Sequence, residues 1–230
     1  MDAQSIIKKL HALANPENVK GMARFGISSK NTLGLSMPVI RVLAKEIGKN
    51  HELALVLWDS KIHEAKILAG LIDIPKKVTE KQAEEWVKDF DSWDVCDQVC
   101  MNLFDKTDFA FPKAIEWTQR KEEFVKRAGF AMFASLAVHA KKADDKIFEE
   151  FLVCVFNEAE DERNFVKKAL NWALRQIGKR NLYLNKKAIE CCEDILKNYS
   201  NSKSARWIAT DALRELQSEK VKERLEKKNV

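Results

Sequence analysis

Two short stretches of this chain place an indole and a charged group one helical turn apart. In FDSWDVCDQVC, Trp93 and Asp97 stand at i,i+4; in VKKALNWALRQ, Lys168 and Trp172 do the same, so each pair shares one helix face. An indole face attracts a cation through its quadrupole, and a carboxylate beside it adds a full negative charge. Such a pair suits the capture of positive charge better than it suits an apolar core. Arg127, directly before the uncharged run Ala128 to Ala140, is a third residue out of place in a purely structural reading, although an arginine at a helix start also snorkels. Taken one by one, Asp97 also fits a surface carboxylate and Trp93 a core indole. Asp91, Ser92 and Asp94 read as cap and first-turn residues favoured by the helix dipole. Trp58 and Trp86 sit in plain amphipathic patterns and read as core; Trp117 fits either role.

Other chemistries find little support. The five cysteines, Cys96, Cys100, Cys154, Cys191 and Cys192, are odd in number and two are adjacent, which describes reduced thiols rather than a disulfide framework. Cys96 and Cys100 could share a metal ion, but neither a CxxC nor a close histidine completes a ligand set, so no metal and no cofactor is expected. His139 reads as a C-terminal helix residue rather than a catalytic one. No Ser/His or Cys/His arrangement and no Gly-rich phosphate loop is present.

The elements that must position these residues are helices. The 230 residues include only 7 Gly and 4 Pro, about 5% together where roughly 12% is usual, while 33% are charged and 46% hydrophobic. Long amphipathic helices satisfy that balance, and an all-α fold follows. Asn15-Pro16 reads as the end of the first helix, Ser36 as an N-cap, Gly48 as a stop, and Thr79 with Gln82 as a capping box. Further helices are expected over 52–59, 61–73, 92–104, 112–119, 122–139, 145–157, 162–178, 185–197 and 203–217. One segment type recurs, as HEAKILAGLID, WDVCDQVCMNLF, VKRAGFAMFASLA, VKKALNWALRQIG and SARWIATDALREL, with amphipathic helices between. A helix pair repeated at such a period predicts a curved α-solenoid of HEAT-like repeats. Without a linker, residues 1–230 are expected to form a single repeat domain, with repeats to about 216 and a charged, solvated tail over 217–230. The repeated ALR triplet places Arg175 and Arg214 in interhelix roles.

The 40 Lys and Arg exceed the 35 Asp and Glu by only five, so a polyanion partner requires local clustering. The recurring helices carry Lys66, Lys126, Arg127, Lys167, Lys168, Arg175 and Arg206, which either line a basic trough following a phosphate backbone or form solvated outer faces. The N-terminus lacks the apolar core of a signal peptide, and 128–140 is too short to span a bilayer, so a soluble cytoplasmic protein with no membrane partner is expected.

GMARFGISSKNTLGLSMPVIRVLAKEIGK, followed in order by SWDVCDQVC, VKRAGFAMF and VKKALNWALRQ, resembles the DNA alkylation repair family of AlkD-like HEAT-repeat DNA glycosylases over about residues 15–215. The resemblance implies a catalytic carboxylate at Asp97, lesion-flanking indoles at Trp93 and Trp172, and an active-site arginine at Arg127. With DNA as the partner, the basic-trough reading places DNA contacts at Arg24, Lys126, Lys167, Lys168, Arg175 and Arg206. The family often has Tyr after Met-Ala-Arg, where this chain has Phe25. Implied partners are double-stranded DNA containing 3-methyladenine or 7-methylguanine, handled without full base flipping, and a monomer would suffice. Alkylation makes the purine cationic, so the base leaves neutral without a general acid; what needs stabilising is positive charge on the sugar. The alternative from another class is a non-catalytic HEAT-repeat module that binds DNA or protein.

Overall fold

A computed structural model of the chain describes residues 2–227 and is all-α, with no strand among those residues. Its contacts gather into two compact units, Met1–Asp108 and Phe109–Val230. The first contains α1 (Ala3–Ala12), α2 (Pro16–Ala23), α3 (Met37–Ile47), α4 (His51–Asp59), α5 (His63–Ile72), α6 (Glu80–Lys88) and α7 (Trp93–Asn102). The second contains α8 (Ala110–Thr118), α9 (Glu123–His139), α10 (Asp145–Asn157), α11 (Asn164–Gly178), α12 (Leu182–Asn198), α13 (Lys203–Leu216) and α14 (Glu219–Glu226).

In the first unit α5 packs between α3 and α7, with α4 against its other side. This helix is buried almost all round, from His63 to Ile72 with Leu71 the exception. Trp58 of α4 lies flat on Trp86 of α6, with ring centroids 3.9 Å apart and planes 2° from parallel, so these two indoles are core as expected. Of the expected capping box only the N-cap half forms: the Thr79 hydroxyl accepts from the Gln82 amide at 3.1 Å, while the Gln82 carboxamide donates instead to Asp73 Oδ2 at 2.8 Å. Most expected helix ends shift by one to three residues, α12 for example opening at Leu182 rather than 185, and two differences have a clear local cause. Asn15-Pro16 opens α2 instead of ending α1: the Asn15 carboxamide oxygen accepts from the Glu17 and Asn18 amides at 3.1 and 3.2 Å, and Pro16 stands where a helix has no N–H to use. The helix expected from Lys61 starts at His63, because Lys61 takes a left-handed φ of 58°.

The segment joining α2 to α3 is fastened by a buried carboxylate. Glu64 Oε1 accepts from the amides of Leu33, Gly34 and Leu35 at 3.1, 2.6 and 3.2 Å, and Oε2 from Leu33 at 2.9 Å. Gly34 is required here: its φ is +80°, and a Cβ would stand 2.2 Å from the Asn15 carbonyl oxygen, a backbone atom that cannot step aside. Gly34→Ala is expected to cost about 3 kcal/mol or more, measured as a lower urea midpoint; an unchanged midpoint would show that the segment yields freely.

In the second unit α9, α11 and α13 pack side by side, with α8 against α9, while α10 and α12 pack together and α12 also lies on α11 and α13. Phe133 of α9 stacks on Phe151 of α10 with centroids 3.7 Å apart. Trp117, open to either reading in the sequence, is fully buried. All five recurring segments fall on α5, α7, α9, α11 and α13, so the repeated pattern marks the helices that pack on one another within each unit: α5 with α7, α9 with α11, and α11 with α13. The tail departs from its expected solvated character. Val221 and Leu225 of α14 are buried, and α14 packs on α12 and α13; positions 228–230 of the expected tail lie outside the described residues. Arg214 pairs with Asp211 of its own helix at 2.5 Å rather than joining two helices, whereas Arg175 does cross, meeting Glu215 of α13 at 2.5 Å.

Candidate functional site

Within the first unit the sequence pair is set by the start of α7. Ser92 is the N-cap, Trp93 the first helical residue, and Asp97 follows one turn later, only 9% exposed. The half-buried Trp93 donates its indole Nε1–H to the Phe25 carbonyl at 3.1 Å, which ties the ring to the segment after α2. The Phe25 side chain is 71% exposed. The departure from tyrosine therefore removes a hydroxyl while the contact to Trp93 runs through the backbone, which any residue supplies.

Asp94, read from sequence as a dipole-favoured first-turn residue, does more. Its Oδ2 meets Nε2 of buried His63 at 2.8 Å, and its Oδ1 accepts from the Ser92 hydroxyl and, at 3.0 Å, from the Val95 amide. Ser92 accordingly makes no side-chain cap. Burial opposes charge on both partners, but the hydrogen bonds and mutual attraction outweigh it, leaving His63 above its ordinary pKa and Asp94 below its own. His63 thus stabilises the fold fully below its unfolded value near 6.5 and ceases to as pH rises through its higher folded value. Asp94 stabilises above its unfolded 3.8 and ceases to as pH falls through its lower folded value. Urea midpoints are expected to decline as pH rises from about 6.5 through the raised folded value of His63, with a shallower decline in His63→Gln. Equal slopes for the two proteins would remove this pair from the pH response.

The second unit holds the other two candidates. Arg127, in the second turn of α9, is 5% exposed and donates Nη1–H to the Phe165 carbonyl at 2.6 Å, so part of its guanidinium ties α9 to the first turn of α11. Trp172 is half-buried on α11, one turn beyond exposed Lys168. Trp93 and Asp97 thus share one unit and one helix face, while Arg127 and Trp172 lie on adjacent packed helices of the other.

The basic residues divide into two groups. Lys66 is buried, with Nζ 3.0 Å from Asp89 Oδ2 and donating to the Asp89 carbonyl at 2.9 Å. Lys126 is buried against Glu158, with Asp161 Oδ2 at 3.8 Å, and Arg175 shares Glu215 with Lys179. Arg24, Lys168 and Arg206 are exposed and Lys167 half-exposed. The five cysteines are all reduced thiols, and burial pushes Cys191 up to about 12 and raises Cys100, Cys154 and Cys192 as well. Among the described residues no three His, Cys, Asp or Glu side chains group as a metal site would require, and no helix is long and apolar enough to cross a membrane.

Sequence reasoning passed over two features. His63 opens the recurring segment HEAKILAGLID, but its partner lies on another helix. Trp207 shares a face with Lys203, Arg206, Thr210 and Arg214 at helical spacing, a signal that was available.

Relatives of this chain include an uncharacterised protein of Listeria innocua, 25% identical over 197 residues that cover 84% of this chain and 86% of the relative. Another is an uncharacterised protein of Listeria monocytogenes, 24% identical over 209 residues covering 89% and 91%. Among solved structures, one matches with a TM-score of 0.75 at 22% identity, covering 84% of this chain and 83% of its own; it represents a new family of proteins related to the HEAT-like repeat DNA glycosylases with affinity for branched DNA structures. The likeness establishes a HEAT-like helical fold. The model of the family described as DNA alkylation repair enzyme matches residues 6–216, nearly the whole chain, with the Trp93–Asp97 turn inside it, and the chain belongs to that family.

Proposed function

We propose that this protein is a monofunctional DNA glycosylase that hydrolyses the N-glycosidic bond of cationic alkylpurines, 3-methyladenine and 7-methylguanine, in duplex DNA. The observation that carries the reading is the first turn of α7: a buried carboxylate, Asp97, one turn from an indole held by a backbone carbonyl. As the bond to the cationic base breaks, the electron pair leaves with the base, which departs neutral, and the deoxyribose becomes oxocarbenium-like. Asp97 supplies negative charge to that sugar from a largely water-excluded position, where it acts more strongly than in bulk solvent, and can orient the attacking water. In the first unit the face of Trp93 attracts the cationic nucleotide, and in the second the face of Trp172 offers DNA an indole of the same kind. The exposed Lys168, Arg206 and Arg24 and the half-exposed Lys167 hold backbone phosphates.

A second reading is favoured by the structural neighbour described by its affinity for branched DNA structures: recognition of DNA shape with no excision. One assay separates the two. DNA treated with a methylating agent is incubated with the protein and free bases are measured. Release of 3-methyladenine or 7-methylguanine supports the glycosylase; DNA binding without release leaves the shape-binding module.

A further inference from the structure

Trp207 stands outside the buried face of its own helix. The residues that seat α13 are Ala205, Ile208, Ala209, Ala212 and Leu216, all buried, whereas Trp207 is 42% exposed. Trp58, Trp86 and Trp117, by contrast, are all buried. Its surroundings are cationic: Trp207 lines an open recess of about 500 Å³ with Lys203, Arg206, Thr210, Asp211 and Arg214. Asp211 is the lone acid of that lining and is paired with Arg214. From neighbouring α11, the Lys167 ammonium stands 5.8 Å from the Trp207 ring centroid, at the far edge of cation–π range, where a flat partner can displace it. When the ALR triplets of α11 and α13 are aligned, Arg206 falls on Lys167 and Trp207 on Lys168. The repeat thus keeps one cation and replaces the other with an indole, exchanging a phosphate contact for an aromatic face.

Cations alone suit any phosphate backbone, but an aromatic face among them also offers a stacking surface to a flat partner with a free face. Bases within an intact duplex are stacked on both sides, whereas an unpaired nucleotide has a face to offer. We propose that Trp207 is a stacking platform for an unpaired nucleotide of forked or gapped DNA, with Lys203, Arg206 and Lys167 taking the flanking phosphates. The inference rests on the DNA-binding part of the proposed function and not on base excision.

The test compares a fluorescein-labelled fork carrying two unpaired arms with a fully paired duplex of equal length, binding wild type, Trp207→Ala, Trp207→Phe and Arg206→Ala. Wild type is expected to prefer the fork. Trp207→Ala should lose roughly five- to a hundredfold on the fork and less than about twofold on the duplex, with Trp207→Phe recovering most of the loss. Arg206→Ala should weaken both and lower the salt slope by about one. Because the Trp207 side chain is outside the core, circular dichroism of Trp207→Ala should match wild type. No fork preference in wild type, equal losses on both DNAs, or no loss on the fork would each overturn the proposal. Base release by the wild-type protein is scored separately: its absence with fork discrimination intact removes the glycosylase reading and leaves the stacking platform standing.

Discussion

Asp97→Asn will lower the rate of alkylbase release by about 10²–10³-fold while leaving binding to the same DNA within about twofold. The substitution keeps the size and shape of the side chain, removes its charge and exchanges one acceptor oxygen for an NH₂ donor, so it tests the charge without opening a cavity. The large effect is expected because Asp97 is buried: a carboxylate in bulk water is screened by a dielectric of about 80, whereas one withdrawn from solvent acts through a much lower effective value. The cationic purine does not need Asp97 as an acid, so the loss should appear in the single-turnover rate and not in the dissociation constant. Unchanged release would take Asp97 out of the chemistry. Equal losses of binding and rate would make it a DNA-positioning group.

Glu64→Ala will destabilise the protein by about 3–5 kcal/mol, read from urea unfolding with an unchanged m-value. The carboxylate is fully buried and accepts from three successive backbone amides, those of Leu33, Gly34 and Leu35. Removing it leaves these donors facing a cavity, and unsatisfied buried amides cost far more than a surface contact contributes. Glu64→Gln should fall between the two, since its carbonyl oxygen can still accept but its NH₂ faces donors. A loss below about 1 kcal/mol for Glu64→Ala would mean that the segment finds other partners. The same segment leads back to Phe25, whose carbonyl holds the Trp93 indole, so order here supports the proposed site.

Much of this arrangement is legible in residue patterns because helix formation is local. Periodicity, caps and scarce breakers mark most helices, and the recurring segment picks out α5, α7, α9, α11 and α13. Misread points arise where one residue type serves two ends of a helix: Asn-Pro closes one helix as readily as it opens the next, and only the Asn15 side chain bonding to Glu17 and Asn18 decides. At the candidate site, the i,i+4 spacing of Trp93 and Asp97 is a property of one helix and is readable; the link from Trp93 to Phe25 joins residues far apart in the chain and is not.

The amino-acid sequence by itself determined an all-α chain of the DNA alkylation repair family and the helix faces on which its indoles and charges stand. Tertiary structure alone decided which charges are available. Lys66, Lys126 and Lys167 look alike in sequence, each on a recurring helix, yet Asp89 claims the first and Glu158 the second, while Lys167 reaches Trp207. Each of these partners sits on a different helix or loop from its lysine, and whether they meet depends on the register in which helices pack. A side chain's direction follows from its own helix; its partner follows from the neighbours that packing brings alongside.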